Sequence, residues 1–191
     1  MGERALELGR NTLRFMESLV RNGVDVAYAQ SLGEACERVL GWARSWRAER
    51  FLIGGLSGRT RETLREALSM LGRVGGWDEI FEACRFEEYR EGCLGVFRAR
   101  HGLAETGGLV VLDDESNIAS LLPAYSVALV EEGEIVESYA SLSTILGSGR
   151  IAGLAIISGP SGTSDIELTH VKGVHGPLEV GCIVAGFDLD E

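Results

Sequence analysis

The chain has no excess of basic charge. Eighteen Lys and Arg stand against 29 Asp and Glu in 191 residues, for a net charge of −11. Nucleic-acid grooves are built on clustered Lys and Arg, so this balance argues against one, and equally against adsorption to an anionic membrane. No apolar run approaches the roughly 20 residues needed to cross a bilayer. The opening Met-Gly-Glu-Arg-Ala-Leu-Glu has no apolar h-region, and Leu6 stands where myristoylation requires Ser or Thr. A cytoplasmic protein is expected. Cysteine is sparse and scattered (Cys36, Cys84, Cys93, Cys182) with no CxxC. The common zinc spacings and the Cys runs of iron–sulfur sites are therefore missing, and reduced, mostly buried thiols are expected. Repeats, low-complexity segments and linkers are also lacking.

The remainder is ordinary globular composition, 45% hydrophobic and 25% charged. The length suits one domain over 1–191, with 1–23 an N-terminal helix packed on it. Residues 4–21 read as an amphipathic helix with Leu6, Leu13, Met16 and Val20 on its apolar face, ended by Asn22-Gly23. A strand is expected at 24–29. Ser31 and Glu34 form a capping box that opens a helix to about Trp46. Residues 50–54 read as a buried strand, and Leu64, Ala67, Leu68 and Leu71 mark the next helix face. A short helix is expected around 78–84. Strands follow at 96–99, 109–112 and 127–130, and Ile135, Tyr139, Leu142 and Leu146 lie on one helix face. Strands at 154–157 and 178–184 close the series. Short buried strands alternating with helices predict an α/β domain whose largely parallel sheet is covered on both faces.

Four loops could carry chemistry. Residues 54–58 (Gly-Gly-Leu-Ser-Gly) join a strand to a helix, but lack the Lys of a phosphate loop and have Arg59 where a nucleophile elbow needs Gly, so a tight turn is expected. Residues 147–153 follow a helix and read as a C-cap and loop. Glu105-Thr106-Gly107-Gly108 precedes a strand; its glycines let backbone approach a ligand, Thr106 can donate to an oxygen, and Glu105 offers a carboxylate. Residues 158–177 are richest in hydrogen-bonding and ionisable groups, set between two apolar runs. Ser164 and Glu167 fit a capping box, so a short helix should begin near Asp165. Its free N–H groups, with the hydroxyls of Ser161 and Thr163 beside Gly159, would suit a carboxylate or phosphate. His175, between glycines, can be presented to a ligand or bonded in a turn. Glu105, Asp165 and His175 are the acid–base candidates. Asp165, His170 and His175 match no familiar metal spacing, and no metal is expected.

Together these segments resemble the LUD domain, the lactate-utilization protein C family. The matching residues are Glu105-Thr106-Gly107, Ser120-Leu121-Leu122-Pro123, Gly159-Pro160-Ser161 with Thr163 and Asp165-Ile166-Glu167, and Gly173-Val174-His175-Gly176-Pro177. They cover about residues 95–185. The resemblance implies a three-layer α/β/α fold like that of sugar-phosphate isomerases and CoA transferases. The loops themselves place the expected small-anion site at Thr106, Gly107, Gly108, Gly159, Ser161, Thr163, Asp165 and His175. The resemblance also implies a role in oxidising L-lactate to pyruvate, with no cofactor on this chain and iron–sulfur clusters on partner subunits. The alternatives are a stand-alone isomerase or acyl-transferase acting on a phosphorylated or CoA-linked substrate, and a non-catalytic ligand sensor. The chain departs from the family at Asn117 and Gly162, near positions where Arg is frequent, and at Gly108, where Thr is frequent. Two missing guanidiniums matter because Arg is the natural clamp for a carboxylate.

Overall fold

The structure is a computed structural model that describes residues 8–75, 92–112, 115–146, 153–164, 170–172 and 176–190. At its centre lies a six-stranded sheet. It contains β1 (Asp25–Ala29), β2 (Arg50–Gly54), β3 (Arg73–Gly75), β4 (Cys93–Arg98), β7 (Tyr125–Glu131) and β12 (Glu179–Ala185). The strand order is β1-β12-β7-β4-β2-β3, and every pairing is parallel. Parallel strands need crossovers, and burial on both faces explains why these read as continuous apolar runs.

The pleat divides the core into two layers. Phe51, Ile53, Leu94, Val96, Val127, Leu129 and Ile183 point to one face. There they meet α2 (Leu32–Ser45) and α3 (Gly58–Ser69). Ser31 caps α2 by accepting from the Glu34 amide, as its sequence predicts. Leu52, Phe97, Ala128, Val130, Cys182 and Val184 point to the other face. That face is covered by α1 (Arg10–Arg21), by α4 (Glu115–Leu121) and by a second sheet. The layering agrees with the expected three-layer α/β/α class.

The second sheet was not foreseen. It has β5 (His101–Leu103), β6 (Gly108–Leu112), β8 (Ile135–Val136) and β9 (Leu154–Ile157) in the order β8-β5-β6-β9. Strands β5 and β6 form an antiparallel hairpin whose turn spans residues 104–107. Ile135, expected on a helix, is in a strand; the helix that follows, α5 (Tyr139–Leu146), buries Leu142 against Leu103 and Val110. Strand β9 is no buried strand of the main sheet. It pairs with β6 and is partly exposed, with Leu154 40% accessible.

Helix α1 differs from expectation in its orientation. Its buried face carries Thr12, Phe15, Ser18 and Leu19, whereas Leu13 and Val20 are exposed. Two of those buried residues are polar and satisfied by distant partners: Thr12 donates to Glu132 (3.0 Å) and Ser18 to the Ala104 carbonyl (3.0 Å). Partners for buried hydroxyls rotate the helix away from the face that hydrophobicity alone selects. The expected short helix around 78–84 and the loop at 147–152 lie outside the described residues.

Candidate functional site

Helix α4 is the piece that places the Ser-Leu-Leu-Pro segment. It lies directly on β2 and β4 at two glycines: an added Cβ on Gly54 would run into the Glu115 carbonyl, and one on Gly95 into the Ala119 carbonyl. Glycine permits this approach because it has no side chain. Ser120 is fully buried and bonds its own helix at Asn117 O, while Ser126 caps the helix end by donating to the Ser120 carbonyl (3.0 Å). Ser120 and buried Pro123 therefore terminate and seat a helix. Just beyond, the Ala124 carbonyl accepts from the Leu178 amide (2.7 Å), joining this segment to the start of β12.

The two loops singled out in the sequence meet at the same edge. Residues 104–107 turn β5 into β6, and 158–161 leave β9, which is paired with β6 at Leu109–Ile157. The end of α1 stands against both. Asn22 Nδ2 donates to the Thr106 carbonyl at 2.8 Å. Gly107 has φ +69°, a left-handed conformation, and an added Cβ would lie 2.8 Å from Leu19 N and 3.0 Å from Asn22 Nδ2. A Cβ on Gly159 would lie 2.5 Å from the Asn22 carbonyl oxygen. Ser161 N donates to Pro177 O (2.9 Å), tying the bend to the approach of β12, and Gly176 packs against Ser161. Residues 22–24 and 176–178 precede β1 and β12, so this junction lies at the amino edge of the parallel sheet. Ligands of open α/β sheets usually bind at the carboxyl edge.

This geometry revises several roles. At Gly107 and Gly159 the end of α1 occupies the space a Cβ would take. Gly108 likewise would press a Cβ against Ile156 and Leu103, at 2.9 and 3.1 Å. Thr106 is partly buried, and its Oγ1 is enclosed without a hydrogen-bond partner among the described residues. Such an enclosed, unbonded hydroxyl calls for an explanation. Glu105 is exposed on the turn, its amide donating to Glu137 O (3.0 Å). Ser164, expected as a helix cap, instead ends β10 (Gly162–Ser164), which pairs antiparallel with β11 (His170–Lys172). Thr163 sits in that strand opposite Val171. Asp165 and His175 lie outside the described residues. Gly162 is exposed, with nothing within 4 Å of an added Cβ among the described residues. His101 is buried in β5 and has Nδ1 2.8 Å from a Glu134 carboxylate oxygen, a close contact without hydrogen-bond geometry.

The carboxyl edge holds a different polar group, which sequence reasoning missed. Arg98, at the end of β4, pairs with Glu131 at 2.6 Å and with Asp190, and Ser57 also donates to Asp190 (3.2 Å). The Arg98 hydrogen bond holds the Asp190 carboxyl below its usual range. Glu131, Asp188 and Asp190 bring oxygens within 4.8 Å of one another. Arg98 already compensates two of these acids, which makes the group an ion-pair network. Nearby, Glu132 accepts from Thr12 and from Tyr28 (2.8 Å). Burial, then the bond to Glu132, pushes the Tyr28 hydroxyl up to about 12.

The described thiols do not assemble a cluster-binding set. Cys36 packs in one core layer, and Cys93 and Cys182 pack in the other. No helix among the described residues is long and apolar enough to cross a membrane.

The LUD domain profile matches residues 85–185. Among curated relatives, an uncharacterized protein YkgG of Escherichia coli (strain K12) is 37% identical over 111 residues, covering 54% of this chain and 48% of that protein. A lactate utilization protein C of Halalkalibacterium halodurans is 31% identical over 120 residues, covering 59% of this chain and 52% of its own length. One from Deinococcus radiodurans is 36% identical over 91 residues, covering 44% and 42%. The match thus spans about half the length of these relatives. A crystal structure of a DUF162 family protein from Deinococcus radiodurans superposes with a TM-score of 0.64 at 17% identity, over 95% of this chain and all of that one. That likeness bears on the fold.

Proposed function

Since the chain belongs to the LUD domain family, we propose that it serves in lactate utilization by binding a small carboxylate at the junction of the 104–107 turn and the 158–161 bend. It does so as an accessory subunit. Oxidation of L-lactate to pyruvate removes two electrons, and in this reading iron–sulfur clusters on partner subunits receive them. This chain's part is to bind and orient the acid and, through Glu105, to take up one of the two protons released with the electrons, the other passing to solvent.

The observation that carries the reading is the Thr106 hydroxyl, enclosed and unbonded where the two family segments converge. A hydroxyl in that state gains a full hydrogen bond when an acceptor oxygen reaches it, without first giving one up. Glu105, exposed on the same turn, is the described carboxylate nearest in sequence to that hydroxyl and is the candidate to take a proton from a 2-hydroxy acid.

Two measurements test this. Calorimetric titration of the full chain with L-lactate and with pyruvate should show saturable binding, weakened by Thr106→Val. Affinity capture of the tagged chain from native extract should bring down iron–sulfur proteins. Absence of both binding and copurifying iron would refute the proposal.

A further inference from the structure

Neither the 104–108 turn nor the 158–162 bend of the site carries a cation. The end of α1, which lies outside residues 85–185, brings one to the same place. Arg21 is the last residue of α1, and its Nη2 donates to Ser18 Oγ at 2.8 Å. That buried Ser18 hydroxyl in turn donates to the Ala104 carbonyl at 3.0 Å, in the turn that holds Thr106. The guanidinium is therefore held one hydroxyl away from the turn. Among the described residues it makes no ion pair, whereas Arg14, Arg61 and Arg98 all do. One residue on, Asn22 donates to Thr106 O and backs Gly159 with its own carbonyl.

We propose that the last turn of α1 forms the third wall of the site, with Arg21 supplying the positive charge for a bound carboxylate and Asn22 acting as a positioning residue that holds the Thr106 turn against the 158–161 bend. The inference rests on the carboxylate-binding reading. Arg21 retains most of its fork after bonding Ser18, and a planar fork matches a carboxylate in two parallel hydrogen bonds. A cation at a helix carboxyl end also favours the helix dipole. That role affects stability alone, so affinity separates the two.

The experiment is calorimetric titration with L-lactate and with pyruvate at several salt concentrations, alongside melting curves. The proteins are wild type, Arg21→Gln, Arg21→Lys, Asn22→Ala and Arg14→Gln. Arg14 is an exposed arginine of the same helix, loosely paired with Glu137, and serves as the control. Arg21→Gln should weaken binding by about tenfold or more, the worth of one charge-assisted hydrogen bond, and flatten the salt dependence. Arg21→Lys should restore the salt dependence but only part of the affinity. Asn22→Ala should weaken both acids, and Arg14→Gln should match wild type. Wild-type binding that Arg21→Gln leaves unchanged overturns this inference while the carboxylate reading stands. Wild type that binds neither acid overturns both. Equal weakening by Arg14→Gln reduces the effect to general charge and also overturns it.

Discussion

Replacing Gly159 with alanine should destabilise the protein, while the same change at Gly162, three residues on, should not. A methyl on Gly159 would sit 2.5 Å from the Asn22 carbonyl oxygen and 3.5 Å from its carbon. The obstruction is backbone, fixed at the end of α1 by the Asn22 N–H donating to Ser18 O and Leu19 O. It cannot swing aside as a flexible side chain would. Relief requires the bend or the helix end to shift, and overpacking of this kind costs about 1–3 kcal/mol. For a domain of this size each kcal/mol moves the melting temperature by roughly 2–4 °C, so a fall of about 2–12 °C is expected. At Gly162 an added Cβ meets nothing within 4 Å among the described residues. Alanine there restricts the unfolded chain and should leave stability unchanged or raise it by up to about 1 kcal/mol. Urea unfolding and thermal melts of the two single variants measure the difference. The Gly159 penalty should persist in an Asn22→Ala background, because the offending atom is a backbone oxygen. A Gly159→Ala protein as stable as wild type would refute the packing of α1 against this bend, and with it the junction on which the site is built.

Further outcomes follow from the same structure. Gly162→Arg should fold normally, given the open space around that position, and should tighten binding of L-lactate in titration. Tyr28 has its ionisation pushed from 10.0 up to about 12, so the proton it holds favours the folded state below pH 10, and that contribution is lost as the pH rises toward 12. Spectroscopic titration of tyrosinate should show one late-ionising group, absent in Tyr28→Phe. Burial pushes the Cys36 thiol up to about 11 and the Cys182 thiol higher still. Both should resist alkylation at pH 8 in the native state and react on unfolding, read by peptide mass spectrometry. Arg98→Gln strands the partly buried Glu131 carboxylate and should cost about 1–3 kcal/mol in urea unfolding.

The sequence alone determined the class of the fold, because that information is local. Apolar runs such as 50–54 and 127–130 are continuous where a strand is buried on both faces, and Ser31 with Glu34 announces a helix start within four residues. The family segments were legible for the same reason, each being contiguous. What the tertiary structure decided is where long-range partners fall. Leu13 and Val20 face outward because Thr12 and Ser18 find hydrogen-bond partners 120 and 86 residues away, and no periodicity encodes such a partner. The β5–β6 hairpin went unread because its strands are short. Asn22, which reads as a helix stop, is joined to Thr106 across 84 residues. Gly107 and Gly159 read as openings for a ligand because glycine looks the same whether a ligand or a helix end fills the missing Cβ; here the end of α1 does. Sequence spacing fixes which groups are present, and only the packed chain fixes which of them still have hydrogen bonds to give.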